Sequence, residues 1–155
     1  MRVVVAVPED VPAWLALAAE VECLFGPLVG EPTFLRALER NVARGSAYSV
    51  REGDGPPGAP LEGGLLFSAH PPEYRIGWLA VAARARRRGV GRRLVSHVLA
   101  LAARPARVSA VTFGEEVVGG EPARRFYERL DFLPAEMTLP GPDGGARQVY
   151  RWELP

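Results

Sequence analysis

The chain has 155 residues of ordinary globular composition, which predicts a single folded domain over residues 1–155 and argues against wholesale disorder. The formal net charge of +1, carried with 19 arginines and no lysine, argues against a generally basic nucleic-acid binder. The only cysteine, Cys23, excludes an internal disulfide and a cysteine-cluster metal site, so no metal is expected.

The first half of the chain predicts two helices between short strands. The initial apolar run is too short for a signal peptide, and no stretch approaches the roughly 18 apolar residues of a membrane span, so we expect a cytoplasmic protein. Asp10 is suited to cap the first helix, with Pro12 in its first turn, and Gly45 ends the second helix. The predicted elements are a strand at 3–7, helices at 8–25 and 31–45, strands at 47–52 and 61–69, and a loop at 53–60.

The second half predicts four more strands and two more helices after a turn at 70–74. In the strand at 75–83, alternation places Ile76, Trp78 and Ala80 on one face, with Leu79 and Val81 on the other. The remaining elements are helices at 91–104 and 121–130 and strands at 107–113, 135–139 and 148–154. The order β-α-α-β-β-β-α-β-α-β-β is typical of an α/β domain with a mixed sheet and helices on both faces.

The segment RARRRGVGRRL at 84–94 contains six arginines and joins a predicted strand to a predicted helix. Unpaired N–H groups at a helix start, glycines that permit close approach and arginine side chains together favour phosphate binding. A P-loop is excluded because the chain has no lysine, and a dinucleotide fingerprint fails because Leu94 stands where its third glycine belongs. A single-stranded nucleic-acid groove usually contains aromatic residues, and 79–112 has none. A solvated, arginine-rich helix start remains the alternative.

Two stretches resemble a known family. Residues 86–91 resemble the Gln/Arg-x-x-Gly-x-Gly/Ala signature of the GNAT superfamily of N-acetyltransferases. Residues 121–132, EPARRFYERLDF, resemble its second motif, Asn-x-x-Ala-x-x-Phe-Tyr-x-x-x-Gly-Phe, with Ala123, Phe126, Tyr127 and Phe132 in place. The resemblance implies a single-domain α/β (α+β) fold, with a mostly antiparallel sheet of about six or seven strands that splays in its middle. It also implies acetyl-CoA as cosubstrate.

The resemblance further implies which residues bind that cosubstrate. The pyrophosphate would lie against the backbone N–H groups of 87–92, and the pantetheine arm would pair with strand backbone at 79–81, where an N–H group can also stabilise an oxyanion. Two positions depart from the family motif: Gly120 replaces its Asn, and Asp131 replaces its Gly. The expected cofactor-binding residues are Leu79, Ala80, Val81, Arg86, Arg87, Arg88, Gly89, Val90, Gly91, Arg92, Arg93, Gly120, Ala123, Phe126 and Tyr127.

For catalysis, the resemblance implies that Tyr127 is the general acid near the CoA sulfur. It implies Glu115, twelve residues before that Tyr, as general base, with Glu73, His70 and a water chain as alternatives. A lone cysteine on an apolar helix face is more often part of the core, so Cys23 is not expected to be catalytic. Ser96 and His97 lie on different helix faces and have no ligand or triad partner.

The expected function is therefore transfer of an acetyl group from acetyl-CoA to a primary amine by direct attack. The acceptor, a small molecule or a peptide, is open, and the first two helices and the 70–74 turn should form its pocket. The nearby acids Glu20, Glu22, Glu31 and Glu73 would suit a cationic amine, but surface acids are too common to identify a substrate from them. Two alternatives are kept: a non-catalytic CoA-binding module, and a basic-patch nucleic-acid binder. No nucleic acid or membrane partner is expected, and a homodimer stays open.

Overall fold

The computed structural model describes residues 1–155 as seven strands and four helices. Their order matches the sequence prediction, and the boundaries differ by a few residues because helix and strand ends are weakly marked in sequence. The elements are β1 (Val4–Val5), α1 (Val11–Phe25), α2 (Pro32–Arg44), β2 (Ala47–Arg51), β3 (Leu61–His70), β4 (Glu73–Val81), α3 (Val90–Leu101), β5 (Ala106–Phe113), α4 (Glu121–Arg129), β6 (Leu133–Thr138) and β7 (Arg147–Leu154).

The strands form one sheet in the order β1-β2-β3-β4-β5-β7-β6. Every neighbouring pair is antiparallel except β4 and β5, which are parallel. A parallel pair needs a crossover connection, and α3 supplies it between those two strands. The predicted mixed, mostly antiparallel sheet with helices on both faces is thus confirmed.

Two adjacent glycines in β3 let helices approach both faces of the sheet. A Cβ on Gly63 would lie 2.7 Å from Cγ1 of Val90 in α3, and one on Gly64 would lie 2.6 Å from Cη2 of Trp14 in α1. Successive residues of a strand point to opposite faces, so α1 and α3 are on opposite sides. Trp14 is fully buried and donates a hydrogen bond from Nε1 to Ser49 Oγ, at 3.0 Å. The helices are thereby held close to the middle strands, where the sheet opens.

Asp10 has a different role from the predicted helix cap. Its buried carboxylate makes no capping bond to α1 and instead accepts hydrogen bonds from Arg51 Nε and Nη2, at 3.0 and 2.8 Å, and from the N–H groups of Val7 and Gly58. Burial by itself would raise the pKa of Asp10, but these hydrogen bonds outweigh it and lower that pKa. Asp10 therefore joins the start of the chain to β2 and to the loop after it.

A β-bulge in β4 corrects the predicted facing of its side chains. Phe67 pairs with Ile76, but its neighbour Leu66 pairs with Trp78, so the extra residue in β4 is Gly77. Paired residues share a face and neighbours along a strand do not, so Ile76 and Trp78 lie on opposite faces. The prediction that they share one face was wrong, because simple alternation assumes an uninterrupted ladder. Trp78 therefore faces α1 and α2.

Two further features of the helices bear on the sequence analysis. Cys23 lies on the exposed face of α1, so the expectation that it belongs to the core was wrong. Most residues of that helix are apolar, and periodicity alone therefore did not identify its outer face. No helix has both the length and the apolar character that crossing a membrane requires.

Candidate active site

The sheet opens between its two parallel strands. Pairing between β4 and β5 runs from Glu73 opposite Arg107 to Ile76 opposite Ala110, and then stops. Beyond that point, residues 77–81 of β4 and 111–113 of β5 diverge, and a cleft of about 1340 Å³ opens between them. The cleft is lined from both faces of the sheet, by residues of α1 on one side and of α3 and α4 on the other. It therefore passes through the sheet.

Backbone groups of β4 face this gap. Ala82 donates its N–H to the carbonyl of Glu62, at 2.9 Å. Because hydrogen-bonded pairs alternate in an antiparallel ladder, Ala80 also directs its N–H and C=O toward β3, and Leu79 and Val81 direct theirs to the opposite edge. Consistent with this, the Val81 carbonyl accepts a hydrogen bond from Arg86 Nε, at 3.4 Å. Two residues of the splayed strand thus offer backbone groups to the cleft.

The loop before α3 presents a run of unpaired donors. None of the N–H groups of residues 87–92 has an acceptor within the protein, and the first helical bond runs from Arg93 N to Gly89 O, at 3.0 Å. Arg87 and Gly89 both adopt left-handed backbone conformations, with φ of 63° and 82°. Helix starts and such left-handed turns form concave donor surfaces for anions.

The structure divides the arginines of this loop into two groups. Arg86, Arg87 and Arg92 line the cleft. Arg88 instead pairs with Glu62, at 2.9 Å, and Arg93 donates to the carbonyl of Met1, at 3.0 Å, and neither lines the cleft. Arg84 is likewise held away, by Glu52 and by the carbonyl of Leu61. Fewer arginines therefore face the cleft than the sequence of the loop indicates.

Gly91 allows α3 and α4 to meet beside the cleft. A Cβ at this position would lie 3.0 Å from Cε1 of Phe126 and 3.4 Å from Cγ2 of Val81. A side chain at Gly91 would therefore point into the packing of α3 against α4 and β4, and not toward the loop that precedes α3. Val90 and Gly91 both line the cleft.

Tyr127 lies on α4 with its ring buried and lines the cleft. The ring is surrounded by Phe126, Phe132 and Tyr150, with centroids 5.1, 5.4 and 6.2 Å away. Burial raises the pKa of the Tyr127 phenol, and no hydrogen bond to a protein group offsets that effect. The hydroxyl is therefore protonated at neutral pH and available as a donor. Asp131, four residues later, adopts φ of 68°, as expected for a residue that replaces glycine.

The other predicted site residues are placed less directly. Glu115 lies on the exposed loop after β5 and is not among the residues lining the cleft, so its role as base stays a prediction. Glu73 pairs with Arg107, at 3.3 Å, and His70 is exposed at the end of β3. Gly120 is buried, and a Cβ there would lie 2.5 Å from Cβ of Phe113. The motif's Asn therefore has no room at this position without a shift of α4. Ala123 lines the cleft.

Aromatic rings close the cleft on the α1 side. Phe25 lies 5.4 Å from the Phe113 ring and 6.4 Å from the Trp78 ring, so it bridges the two diverging strands. The guanidinium of Arg147 lies over the Phe113 ring, 4.7 Å from its centroid. An ion pair with Asp143, at 2.9 Å, fixes this guanidinium in place. The loop between β6 and β7 lines this side of the cleft through Leu139, Gly141 and Pro142.

Sequence reasoning missed several lining residues. Arg125 and Arg129 of α4 add two guanidinium groups to the cleft, and their position within the second motif was a signal that could have identified them. Phe25 and Arg147 had no such signal, because they come from the end of α1 and the start of β7 and meet only in the folded chain. The cleft therefore combines a positively charged side with an aromatic side.

Comparison with known proteins identifies this architecture. The model of the acetyltransferase (GNAT) family matches residues 16–132. Among solved structures, Ard1 from Thermoplasma volcanium superposes with a TM-score of 0.77 at 19% identity, covering 99% of this chain and 97% of that one. A GNAT-family acetyltransferase from Bacillus cereus gives 0.75 at 14% identity, covering 99% and 97%.

A third solved structure contains bound ligand. Arabidopsis thaliana Naa50 in complex with the bisubstrate analogue CoA-Ac-MVNAL gives a TM-score of 0.74 at 14% identity, covering 99% of this chain and 98% of that one. At such identities these structures show a shared fold alone. The search of curated proteins gave no match. The family model spans most of the chain, and the splayed sheet has the same fold as these enzymes: the chain belongs to the GNAT acetyltransferase family.

Proposed function

We propose that this protein is an N-acetyltransferase that moves an acetyl group from acetyl-CoA to a primary amine by direct attack. One observation carries the proposal: the cleft joins a run of free backbone donors at 87–92 to the hydroxyl of Tyr127, a residue that is buried and lines the cleft. The first feature suits a phosphate-bearing cosubstrate, and the second suits a leaving group that gains negative charge.

The residues present fit CoA along the length of the cleft. Arg86, Arg87 and Arg92 add charge-assisted hydrogen bonds at the helix start, where the pyrophosphate would bind. The outward-facing N–H and C=O groups of Leu79 and the N–H group of Val81 would pair with the amide groups of the pantetheine arm, as a further strand would. Phe126 and Ala123 of α4 supply apolar contacts on the other side of that arm.

Acetyl-CoA supplies the activated acetyl group, whose C–S bond breaks as the C–N bond to the amine forms. Tyr127 donates its hydroxyl hydrogen to the departing sulfur and regains a proton from solvent. Burial keeps that hydroxyl protonated, and its missing hydrogen bond leaves the donor free for the sulfur. The interaction strengthens as charge develops, which is the requirement for raising kcat.

The amine must lose a proton in the same reaction. Glu121 is the only carboxylate that lines the cleft, and it is paired with Arg125 at 2.5 Å. The proposal therefore assigns proton removal to solvent, with the amine arriving in its neutral form. A strong loss of activity in Glu115→Gln would instead support Glu115, the base predicted from the sequence.

The proposal is tested by incubating the purified chain with acetyl-CoA and a broad panel of primary amines, and measuring CoA thiol release together with the acetylated product. Calorimetry with acetyl-CoA gives cosubstrate affinity. Arg87→Ala should weaken that affinity severalfold, whereas Arg88→Ala should change it less, since Arg88 is already paired with Glu62. Equal losses in the two variants would contradict the placement of these side chains.

The same measurements distinguish an acetyltransferase from a non-catalytic CoA-binding module. The second reading is favoured by Gly120, which replaces the Asn of the motif. Such a module would bind acetyl-CoA and acetylate no amine in the panel. Adding duplex DNA to the calorimetric series tests the nucleic-acid alternative, which predicts affinity for DNA and none for CoA.

A further inference from the structure

We infer that the acceptor is a primary amine joined to an apolar group of about aromatic size, with no second positive charge near it. The inference rests on the proposed acetyl transfer and names the substrate class for that site. It is carried by the side chains on the α1 side of the cleft, which we call the acceptor side: Val21, Leu24, Phe25, Trp78, Phe113, Leu139, Pro142 and Arg147.

Apolar surface dominates the acceptor side. Phe25 packs against both Phe113 and Trp78, and Trp78 also contacts Trp14 and Phe34, with centroids 5.6 and 5.3 Å away. This continuous group of rings fixes Trp78 and Phe25 in place beside the point where the strands part. A rigid aromatic wall of this kind gains free energy by removing apolar ligand surface from water, and it offers a flat contact for a ring.

The acids that could have received a second ammonium are used elsewhere. Glu20 accepts a hydrogen bond from the N–H of Ala83, at 2.6 Å. Glu22 accepts one from the N–H of Leu28, at 2.7 Å, and thereby shapes the loop after α1. Glu73 pairs with Arg107, and neither it nor Glu31 lines the cleft. None of these four acids therefore offers a carboxylate to the acceptor at the cleft.

Positive charge is present instead. Arg75 lines the cleft from β4, and Arg147 lines it from β7 with its guanidinium already fixed over Phe113. Asp143 already compensates Arg147, at 2.9 Å, so Arg75 is the guanidinium on this side that has no carboxylate partner. A second ammonium on the acceptor would be repelled by Arg75, because like charges a few ångströms apart repel. A polyamine or aminoglycoside is thus a poor fit to this surface.

The apolar surroundings also explain how an amine can react without a neighbouring base. Transfer into apolar surroundings disfavours the charged form of an amine and lowers its pKa, so the neutral nucleophile forms more readily. A single ammonium can lose its proton on entry and become reactive. A second ammonium would also have to leave water, and this cost would not be offset, because the second amine takes no part in the reaction.

The test compares matched acceptors under saturating acetyl-CoA. Phenethylamine and 4-(aminomethyl)phenethylamine share a ring and differ by one aminomethyl group, which adds the second charge. A peptide arm uses two otherwise identical peptides that begin with Phe or with Lys. In the pair that the protein acetylates, we expect kcat/KM to be at least tenfold higher for the singly charged member. That member is phenethylamine in the small-molecule pair and the peptide beginning with Phe in the peptide pair. Which pair reacts faster identifies the source of the acceptor as a small amine or a protein amino terminus.

A charge variant and a matched control localise the effect. Leu139, 84% exposed on the acceptor side, can be replaced by Glu with little effect on folding. Leu139→Glu should narrow the preference for the singly charged acceptor at least threefold. Leu133→Glu makes the same change on β6 at a position that is 70% exposed and does not line the cleft, so it should leave the preference unchanged.

The outcomes distinguish this inference from the function on which it rests. Acetyl transfer that favours the doubly charged amine, or a polyamine, would overturn the acceptor class and leave the acetyltransferase proposal intact. Binding of acetyl-CoA without transfer to any amine would overturn both. An equal change of preference in the two Glu variants would show that the acceptor does not lie against the acceptor side as defined here.

Discussion

Replacing Tyr127 by phenylalanine removes one hydroxyl group and keeps the ring that packs among Phe126, Phe132 and Tyr150. Tyr127 is only 6% exposed, and its hydroxyl makes no hydrogen bond within the protein. The variant therefore leaves no polar group without its partner. Its unfolding free energy should stay within about 1 kcal/mol of the wild type, because no hydrogen bond within the protein is lost.

The catalytic effect should be much larger than the effect on stability. A general acid contributes about 10²–10⁴-fold to rate, which corresponds to about 2.7–5.4 kcal/mol of transition-state stabilisation. Because the hydroxyl meets the sulfur as negative charge develops, the loss should appear in kcat, with KM for acetyl-CoA little changed. Since burial raises the pKa of Tyr127, deprotonation of this residue should not limit the rate at neutral or mildly alkaline pH.

The assay measures single-turnover thiol release by wild type and variant with the best amine of the panel, so that the chemical step is observed directly. Tyr150→Phe is the matched control, because it removes a hydroxyl from the same aromatic cluster but outside the cleft lining. That hydroxyl donates to the carboxylate of Glu128, at 3.1 Å, so the control should lose about 2 kcal/mol of stability and keep its kcat. Wild-type single-turnover rates in a folded Tyr127→Phe would refute the acid assignment.

Three further predictions concern the cofactor loop, the base and the fold. Gly91→Leu should lower acetyl-CoA affinity more than tenfold in calorimetry, because a side chain there collides with Phe126 and displaces α4 at the edge of the cleft; unchanged affinity in a folded variant would show that this packing does not shape the cosubstrate site. Glu115→Gln should change kcat/KM less than about threefold between pH 6 and 9, because Glu115 does not line the cleft; a tenfold loss concentrated at low pH would establish it as the base. Asp10→Asn should destabilise the fold by about 3 kcal/mol at pH 7, since it removes the charge paired with Arg51. Because the folded pKa of Asp10 is lowered, this difference in unfolding free energy should be full above about pH 4 and shrink as the pH falls through that pKa; a pH-independent difference would contradict the ion pair.

Contiguous motifs allowed much of the cofactor side to be predicted from sequence. The glycines and arginines at 86–92 lie within a few residues of one another, and their backbone conformation is set locally by the helix start. Tyr127 and Phe126 occupy one turn of α4 in a motif of fixed spacing. Local order of this kind depends on neighbouring residues, so a single sequence contains enough information to predict it.

The acceptor side could not be predicted in the same way. Phe25, Trp78 and Phe113 belong to three separate elements, and their rings meet only because β4 and β5 diverge. The sequence contains the carboxylates of Glu20 and Glu22 near the end of α1, but only the fold shows that their oxygens already accept backbone N–H groups. Whether a charged side chain is free depends on partners that are distant along the chain.

The sequence by itself determined the order of strands and helices and the family, because periodicity and motif spacing are properties of nearby residues. It also indicated the segment at which we propose that a phosphate-bearing cosubstrate binds. Tertiary structure alone decided that Arg88 pairs with Glu62, 26 residues away, and that the Asp10 side chain binds Arg51 of β2 instead of capping α1. It also decided that the bulge at Gly77 turns Trp78 toward α1, because pairing register depends on the neighbouring strand. Contacts between residues distant in the chain determine which charged side chains are paired and which face of a strand each side chain occupies. These contacts therefore determine which groups line the cleft.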